Sequence, residues 1–183
     1  MEPEEVAAAF DHLEQAGKVR HFGVSNQNPM MMELLKTAVK QPLKVNQLQL
    51  SAAFTPSFEA GFHVNMEGPK AAVRDGSVFE YCRLTDTVIQ AWSVLQHGYF
   101  KGNFVGKEEF AALNHVLNDL AKKYQVTPTA IALAWVLRYP GKMQAVIGTT
   151  KPQHVLEAGK AAAVTLTRKE WYQIYLAAGN DLP

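Results

Sequence analysis

The segment His21-Phe22-Gly23-Val24-Ser25-Asn26-Gln27-Asn28-Pro29 contains the unit that decides the fold. A short, partly apolar strand at 21–24 is followed by the polar turn Ser25-Asn26, and Asn28-Pro29 begins a helix with apolar residues at helical spacing. This order of strand, turn and helix recurs along the chain. Because parallel neighbours need a long crossover connection, the recurrence predicts βαβ units and a parallel sheet.

Further strands and helices are predicted on both sides of this unit. We expect the other strands at 45–50, 88–92 and 144–147. Helices are expected from Pro3 to about Gly17, at 77–84, about 108–124, 129–138 and 152–159, and from the capping box at 167–170 onward. The connection at about 52–76 is the one long enough to be a functional loop. Four strands in one α/β domain are therefore predicted.

Composition and charge exclude several classes of function. The 183 residues are 48% hydrophobic and 19% charged, as in an ordinary globular protein. A net charge of +1, from 18 basic and 17 acidic side chains, gives no field that would attract nucleic acid or an anionic membrane. Residues 1–20 do not resemble a signal peptide, and the longest apolar stretch, 130–137, is too short to span a bilayer. Cys82 is the only cysteine, so we expect a core thiol and a reducing, cytoplasmic setting.

The predicted carboxyl ends of the strands are the places to look for chemistry, since ligands of parallel α/β folds bind there. All four ends are polar or aromatic: Ser25-Asn26, Asn46-Gln47 with Gln49 and Ser51, Trp92-Ser93, and Gly148-Thr149-Thr150. Taken singly, most indicate ordinary turns, and Trp92 alone is interpreted as a core residue. Gln47 is harder to explain, because a buried amide needs partners. The sequence has no metal-ligand spacing such as HExxH, no GxSxG nucleophile motif and no GK[ST] phosphate loop, so no metal site is predicted.

Four motifs in order resemble the second half of the aldo-keto reductase barrel. They are Gly23-Val24-Ser25-Asn26, Val45-Asn46-Gln47, Ala91-Trp92-Ser93-Val94-Leu95, and Ile147-Gly148-Thr149-Thr150-Lys151-Pro152 with His154. The Trp-Ser pair and Glu170-Trp171 are similar to the family's bacterial predicted-oxidoreductase branch. The resemblance implies parallel (β/α) units that form the C-terminal half of a (β/α)8 TIM-type barrel.

The resemblance also implies an NADP(H) cofactor and places residues around its nicotinamide. Ser25, Asn26 and Gln47 would bind the carboxamide, whose donors and acceptors suit hydroxyl and amide groups. Trp92 would stack on one face of the ring, where the family usually has Tyr. Fixing one face in this way is what productive hydride transfer needs.

The remaining motifs would hold the phosphates of the cofactor. The loop 93–106, with Ser93, Leu95 and Gly98, would lie over the pyrophosphate, although a flexible surface loop is an equal alternative. Gly148, Thr149 and Thr150 precede a helix and would form an anion site at its positive end. Lys151 and His154 occupy positions that relatives use near the adenosine 2′-phosphate. Relatives often have Lys and Arg in this neighbourhood, so His154 weakens the case for NADP over NAD, yet NADP remains favoured.

The family's catalytic Tyr, Lys, Asp and His lie in its first half. No catalytic residue is therefore assigned, and residues 1–183 are expected to form a single partial domain with strands five to eight. Four strands would leave two open edges and an exposed apolar inner face, which favours self-association. The chain could be a truncated fragment of a longer gene, could pair with another half-barrel, or could stand in isolation, and truncation is favoured.

Two hypotheses for the function follow. The first is an oxidoreductase that reduces small aldehydes or ketones in the complete barrel, with this chain supplying the NADP(H)-binding half and inactive alone. The second is a non-catalytic nucleotide-binding half-barrel that acts through a partner chain. The sequence does not name the carbonyl substrate, because part of the specificity region belongs to the other half.

Overall fold

The computed structural model of the protein describes residues 2–57, 59, 77–98 and 101–181. Its strands are β1 (Phe22–Ser25), β2 (Leu43–Gln49), β3 (Val88–Trp92) and β4 (Met143–Ala145). Its helices are α1 (Pro3–Gln15), α2 (Pro29–Lys36), α3 (Val78–Leu84), α4 (Ala111–Tyr124), α5 (Pro128–Leu137), α6 (Pro152–Gly159) and α7 (Arg168–Ala177). Most of the long connection predicted at 52–76 lies outside the described residues.

The four strands form one parallel sheet in the order β1-β2-β3-β4, which confirms the predicted α/β class. The approach of β1 to β2 requires a glycine, because a Cβ atom on Gly23 would lie 2.7 Å from both the Cβ and the carbonyl oxygen of Val45. Beside this contact the register of the β1–β2 pair shifts between Phe22 and Gly23. Among the described strands, β1 and β4 each have one edge without a partner.

Helix starts follow the capping signals in the sequence. The side chain of Asn28 accepts a hydrogen bond from Met31 N at 2.9 Å, and that of Thr127 accepts one from Ala130 N at 3.2 Å. The predicted capping box at Thr167 and Glu170 is present before α7. One predicted helix differs, since residues Glu108–Phe110 form a 3-10 turn and the α-helix begins only at Ala111.

The main core lies between the sheet and helices α4, α5 and α7. Helix α5 is apolar on all its faces, and it is accordingly buried from Ala130 to Val136. Trp135 of α5 stacks on Trp171 of α7, with ring centroids 4.8 Å apart and planes 9° apart. Each indole N–H donates to the other residue's carbonyl oxygen, at 3.0 and 3.1 Å. Cys82 is fully buried as predicted, and burial raises the pKa of its thiol to about 11.

Glu170 is a buried carboxylate that ties α7 to α4. Burial alone would raise its pKa, but hydrogen bonds from Lys123, Thr167 and Tyr124 outweigh that cost and lower the pKa to about 2. Because the pKa is lower in the folded state, the carboxylate stabilises the fold above its ordinary pKa of about 4.5. That contribution is lost as the pH falls from about 5 toward 2.

We therefore expect Glu170→Gln to lower the free energy of unfolding at neutral pH by about 1 to 3 kcal/mol. The difference between wild type and variant should shrink as the pH falls toward 2. Urea denaturation across this range measures it, with exposed Glu108→Gln as the control. A constant difference over the whole range would contradict the assigned role of the charge.

None of the described helices is both long enough and apolar enough to cross a membrane.

Candidate functional site

The carboxyl ends of β1, β2 and β3 meet at one edge of the sheet. Asn26 and Ser93, which directly follow β1 and β3, both have φ of 52°, a left-handed conformation that is uncommon for residues other than glycine. The backbone N–H of Asn26 donates to the carbonyl oxygen of Gln47 at 2.9 Å. Such turns re-aim the chain where it leaves a strand, and this kind of local strain concentrates at functional sites.

Asn46 is a residue of this edge to which sequence reasoning assigned no role. It is fully buried on the helix-facing side of β2, with 0% of its surface exposed. Its Oδ1 accepts from Gln27 N at 3.4 Å, and its Nδ2 donates to Gln27 O at 2.8 Å. The side chain thereby holds the turn that carries Asn26. The signal was an asparagine within an apolar strand, where a buried amide must find backbone partners.

The polar groups predicted to bind a carboxamide come together at this edge. The hydroxyl of Ser25 donates to Gln47 O at 3.1 Å, and Trp92 Nε1 donates to Asn26 Oδ1 at 3.4 Å. Ser25 and Asn26 are exposed, whereas Gln47 and Trp92 are half-buried. Trp92 therefore lies outside the fully buried core, and the interpretation of this residue taken alone as a core side chain is wrong. It bridges the β1 turn and the neighbouring cleft.

A cleft of about 540 Å³ lies beside Trp92, between the ends of β3 and β4 and helices α5 and α6. Six residues predicted to bind a cofactor line it: Trp92, Ser93, Leu95, Gly148, Thr149 and His154. Four other polar residues that line it were not predicted: Gln96, Asn103, Thr129 and Glu157. Thr129 and Glu157 come from helices, so only the packing of α5 and α6 against the sheet brings them to the cleft.

The floor of the cleft at β4 differs from the sequence prediction. The strand was expected at 144–147, but strand pairing covers only Met143–Ala145. Val146 continues with one backbone hydrogen bond to Ala91 O at 2.8 Å, and both Val146 and Ile147 line the cleft. The apolar pattern that predicted a longer strand thus includes residues that line the cleft.

The beginning of α6 presents polar groups to the cleft. Thr149 Oγ1 accepts a hydrogen bond from Lys151 N at 3.2 Å and lies 3.3 Å from His154 Nδ1. The N-cap residue, Lys151, makes no side-chain capping bond, and Thr150, Lys151 and His154 are all exposed. Backbone N–H groups and the positive end of the helix dipole favour an anion at such a place.

The glycine-spaced loop after β3 is anchored at both ends of its described part. Gln96 and Asn103 pair as an antiparallel bridge, which closes the segment that contains Gly98. Farther along, Asn114 Oδ1 accepts from Gly106 N at 2.8 Å and its Nδ2 donates to Phe104 O at 2.9 Å. Residues 99 and 100 lie outside the described part. Gln96 and Asn103, which both line the cleft, are held together by this bridge.

The described residues contain no group of three or more His, Cys, Asp or Glu side chains placed to hold a metal ion. The arrangement offers instead an aromatic face, a set of amide and hydroxyl groups beside it, and the exposed start of α6 across the cleft. These three features suit a long ligand that combines a flat polar ring with phosphates.

Comparison with known proteins agrees with these features. Residues 1–177 match the model of the aldo/keto reductase family. The chain is 33% identical to the 6-dehydroglucose reductase of Agrobacterium fabrum, covering 100% of the chain and 54% of that protein. It is 32% identical to the oxidoreductase YdhF of Escherichia coli, covering 100% of the chain and 55% of the relative. The chain thus spans about half the length of these curated relatives.

Solved structures show the same fold. The aldo-keto reductase of Klebsiella pneumoniae, crystallised with NADPH, superposes with a TM-score of 0.70 at 21% identity, over 95% of this chain and 53% of that one. The order of motifs, the parallel sheet and the family match lead to one conclusion: the chain belongs to the aldo/keto reductase family.

Proposed function

We propose that this chain is the C-terminal, cofactor-binding half of an NADP(H)-dependent aldo-keto reductase. In a complete barrel it would contribute to the reduction of aldehydes or ketones by hydride transfer. The observation that carries the proposal is the position of Trp92. Its ring lines the cleft while its indole N–H bonds to Asn26, so one side chain joins the polar strand ends to the phosphate-binding side.

The nicotinamide end of NADP(H) would lie at the carboxyl ends of β1 to β3. Trp92 offers a flat apolar face for the ring, and Ser25, Asn26 and Gln47 offer groups for its carboxamide. Binding the ring through one face and one edge leaves the other face for a carbonyl substrate. The hydride itself would be supplied by the bound nicotinamide.

The phosphate end would lie at α6. Gly148 and Thr149 line the cleft directly before this helix, and Lys151 and His154 stand at its first turn. Lys151 carries an ammonium group and the His154 ring can donate a hydrogen bond, so a 2′-phosphate would be favoured over a bare ribose hydroxyl. Support also comes from the Klebsiella pneumoniae relative in fold, which was crystallised with NADPH.

We further propose that the chain alone does not catalyse reduction. Its tyrosines do not match the family position of the catalytic tyrosine, and the residues 1–183 would form a partial domain of strands five to eight. Among the described strands, β1 and β4 each have one edge without a partner, which favours association with a complementary half or a second copy. A half-barrel that binds nucleotide and acts through a partner is the second candidate, and the same edges support it.

Calorimetric titration of the chain with NADPH, NADH and 2′,5′-ADP tests the proposal. We expect NADPH to bind, NADH to bind more weakly, and a panel of aldehydes to remain unreduced in the presence of NADPH. A folded preparation that binds none of the three ligands would remove the cofactor assignment. Reduction of aldehydes above background would contradict the proposed inactivity of the isolated chain.

The 2′-phosphate assignment predicts the effect of one substitution. His154→Ala is expected to weaken NADPH binding about 3- to 10-fold and to leave NADH binding nearly unchanged. The ratio of the two affinities isolates the contact with the extra phosphate. His115→Ala, on an exposed position of α4, is the matched control. An equal loss for both dinucleotides would show that His154 does not select the 2′-phosphate.

A further inference from the structure

Three glutamines form a continuous row across the open side of the sheet, which we call the amide row. Gln47 of β2, Gln90 of β3 and Gln144 of β4 are register partners, and Ser25 of β1 pairs with Gln47 at the end of the row. Gln47 Nε2 donates to Gln90 Oε1 at 3.3 Å, and Gln90 Nε2 donates to Gln144 Oε1 at 2.9 Å.

The row corrects the expectation of an apolar inner face. Gln47 and Gln90 are half-buried in mid-sheet, where apolar or β-branched side chains would normally pack. A buried amide is tolerated only with hydrogen-bond partners, and here each glutamine is partnered by the next. The stability of the sheet does not require three glutamines in register. Apolar residues would fill the same positions and would need no hydrogen-bond partners.

In this arrangement of the row, the hydrogen bonds leave a particular set of groups available at the proposed nicotinamide site. Gln47 uses Nε2 toward Gln90, so its Oε1 remains available as an acceptor. The indole N–H of Trp92 can only donate, and it donates to Asn26 Oδ1. The Nδ2 group of Asn26 is therefore available as a donor. The Ser25 hydroxyl donates to Gln47 O, so its oxygen is left to accept.

The available groups are therefore two acceptors, Ser25 Oγ and Gln47 Oε1, and one donor, Asn26 Nδ2. A primary carboxamide has the complementary set, with two N–H donors and one carbonyl acceptor. A carboxylate in the same place has acceptors only, so two of its contacts would be unfavourable. The set discriminates an amide from an acid by the direction of the hydrogen bonds.

We infer that Gln90 and Gln144 are positioning residues that hold Gln47 as a hydrogen-bond acceptor and so make the site selective for a nicotinamide over a nicotinic acid ring. The inference rests on the proposed function, since it concerns the same ring. Gln90 acts directly, by accepting from Gln47 Nε2, and Gln144 acts through Gln90 by accepting from its Nε2. Without these acceptors the Gln47 amide can rotate and present its N–H groups.

The test compares the affinities of the chain for NADP⁺ and for its nicotinic acid analogue, in which a carboxylate replaces the carboxamide. Wild type should prefer NADP⁺. Gln90→Met keeps the side-chain length and removes the acceptor, so the preference should fall about 3- to 10-fold, as expected for one hydrogen bond. Gln90→Glu keeps an acceptor for Gln47 and should retain the preference. Gln173→Met, on an exposed position of α7, is the control.

Each outcome separates the inference from the proposed function. Binding of NADP⁺ with an unchanged preference in Gln90→Met would overturn the inference and leave the cofactor proposal standing. An equal loss of both dinucleotides and of 2′,5′-ADP would show a structural role, and would also overturn it. Failure of folded wild type to bind NADP⁺ would overturn the proposed function, and the inference with it.

Discussion

Trp135→Ala is expected to lower the free energy of unfolding by about 3 to 5 kcal/mol. The indole is fully buried, stacks on Trp171 and shares two reciprocal hydrogen bonds with it. Removing it leaves a cavity between α5 and α7 and removes the indole donor to Trp171 O, while the backbone carbonyl that accepts from Trp171 Nε1 remains. Urea denaturation followed by circular dichroism measures the loss, which is a large share of the stability of an ordinary domain.

Trp135→Phe provides the graded control, because it keeps an aromatic ring and removes only the N–H and part of the volume. Its cost should lie well below that of alanine, and it keeps the measurement possible if the alanine variant does not fold. A cost below about 1 kcal/mol for Trp135→Ala would contradict the central place given to the α5–α7 contact.

Trp92→Ala is expected to weaken NADPH binding by about 1 to 3 kcal/mol, as for the loss of a base stacked on an aromatic side chain. The substitution removes the proposed platform and the hydrogen bond to Asn26. Binding of 2′,5′-ADP, which has no nicotinamide, should change little. Calorimetric titration of both ligands separates the two effects.

Trp92→Tyr is the matched variant, since it retains an aromatic face and a polar group at its tip. Its affinity for NADPH should remain within a few-fold of wild type. An unchanged affinity of folded Trp92→Ala for NADPH would contradict the stacking role. It would show that this side chain contributes only to packing.

Local signals explain why much of the fold could be predicted from the sequence. The strand Val88–Trp92 was predicted with the bounds that the structure has, because an apolar run between polar turns leaves few alternatives. Helices likewise begin as expected after the capping residues Asn28, Thr127 and Thr167. Each capping side chain accepts a hydrogen bond from a backbone N–H only three residues later, so the signal is local in sequence.

The parts that could not be predicted depend on contacts between distant elements. The end of β4 was placed too late, because apolar residues that line a cleft have the same pattern as residues in a strand. Asn46 is adjacent to Gln47 in sequence but faces the opposite side of the sheet, and its bond to the turn at Gln27 depends on the β1–β2 pairing. The alignment of Gln90 with Gln144 likewise required the register of β3 with β4.

The roles assigned to the twelve cofactor-binding residues remain predictions. The structure brings six of them to one cleft and links Ser25, Asn26 and Gln47 to it through Trp92. Thr150, Lys151 and Gly98 lie within two residues of a lining residue in sequence and are not among those that line the cleft. Contacts from these three would depend on how the phosphates lie over α6 and the glycine-spaced loop.

The central claim is that this chain binds NADP(H) along the strand ends and across the cleft to α6. Amide chemical-shift mapping by NMR during titration with NADPH tests the claim most directly. We predict that shifts concentrate at Asn26, the Trp92 indole N–H, Gly148 and Thr149. No shifts in a folded sample, or shifts confined to the α4 surface around His115 and Lys122, would contradict it.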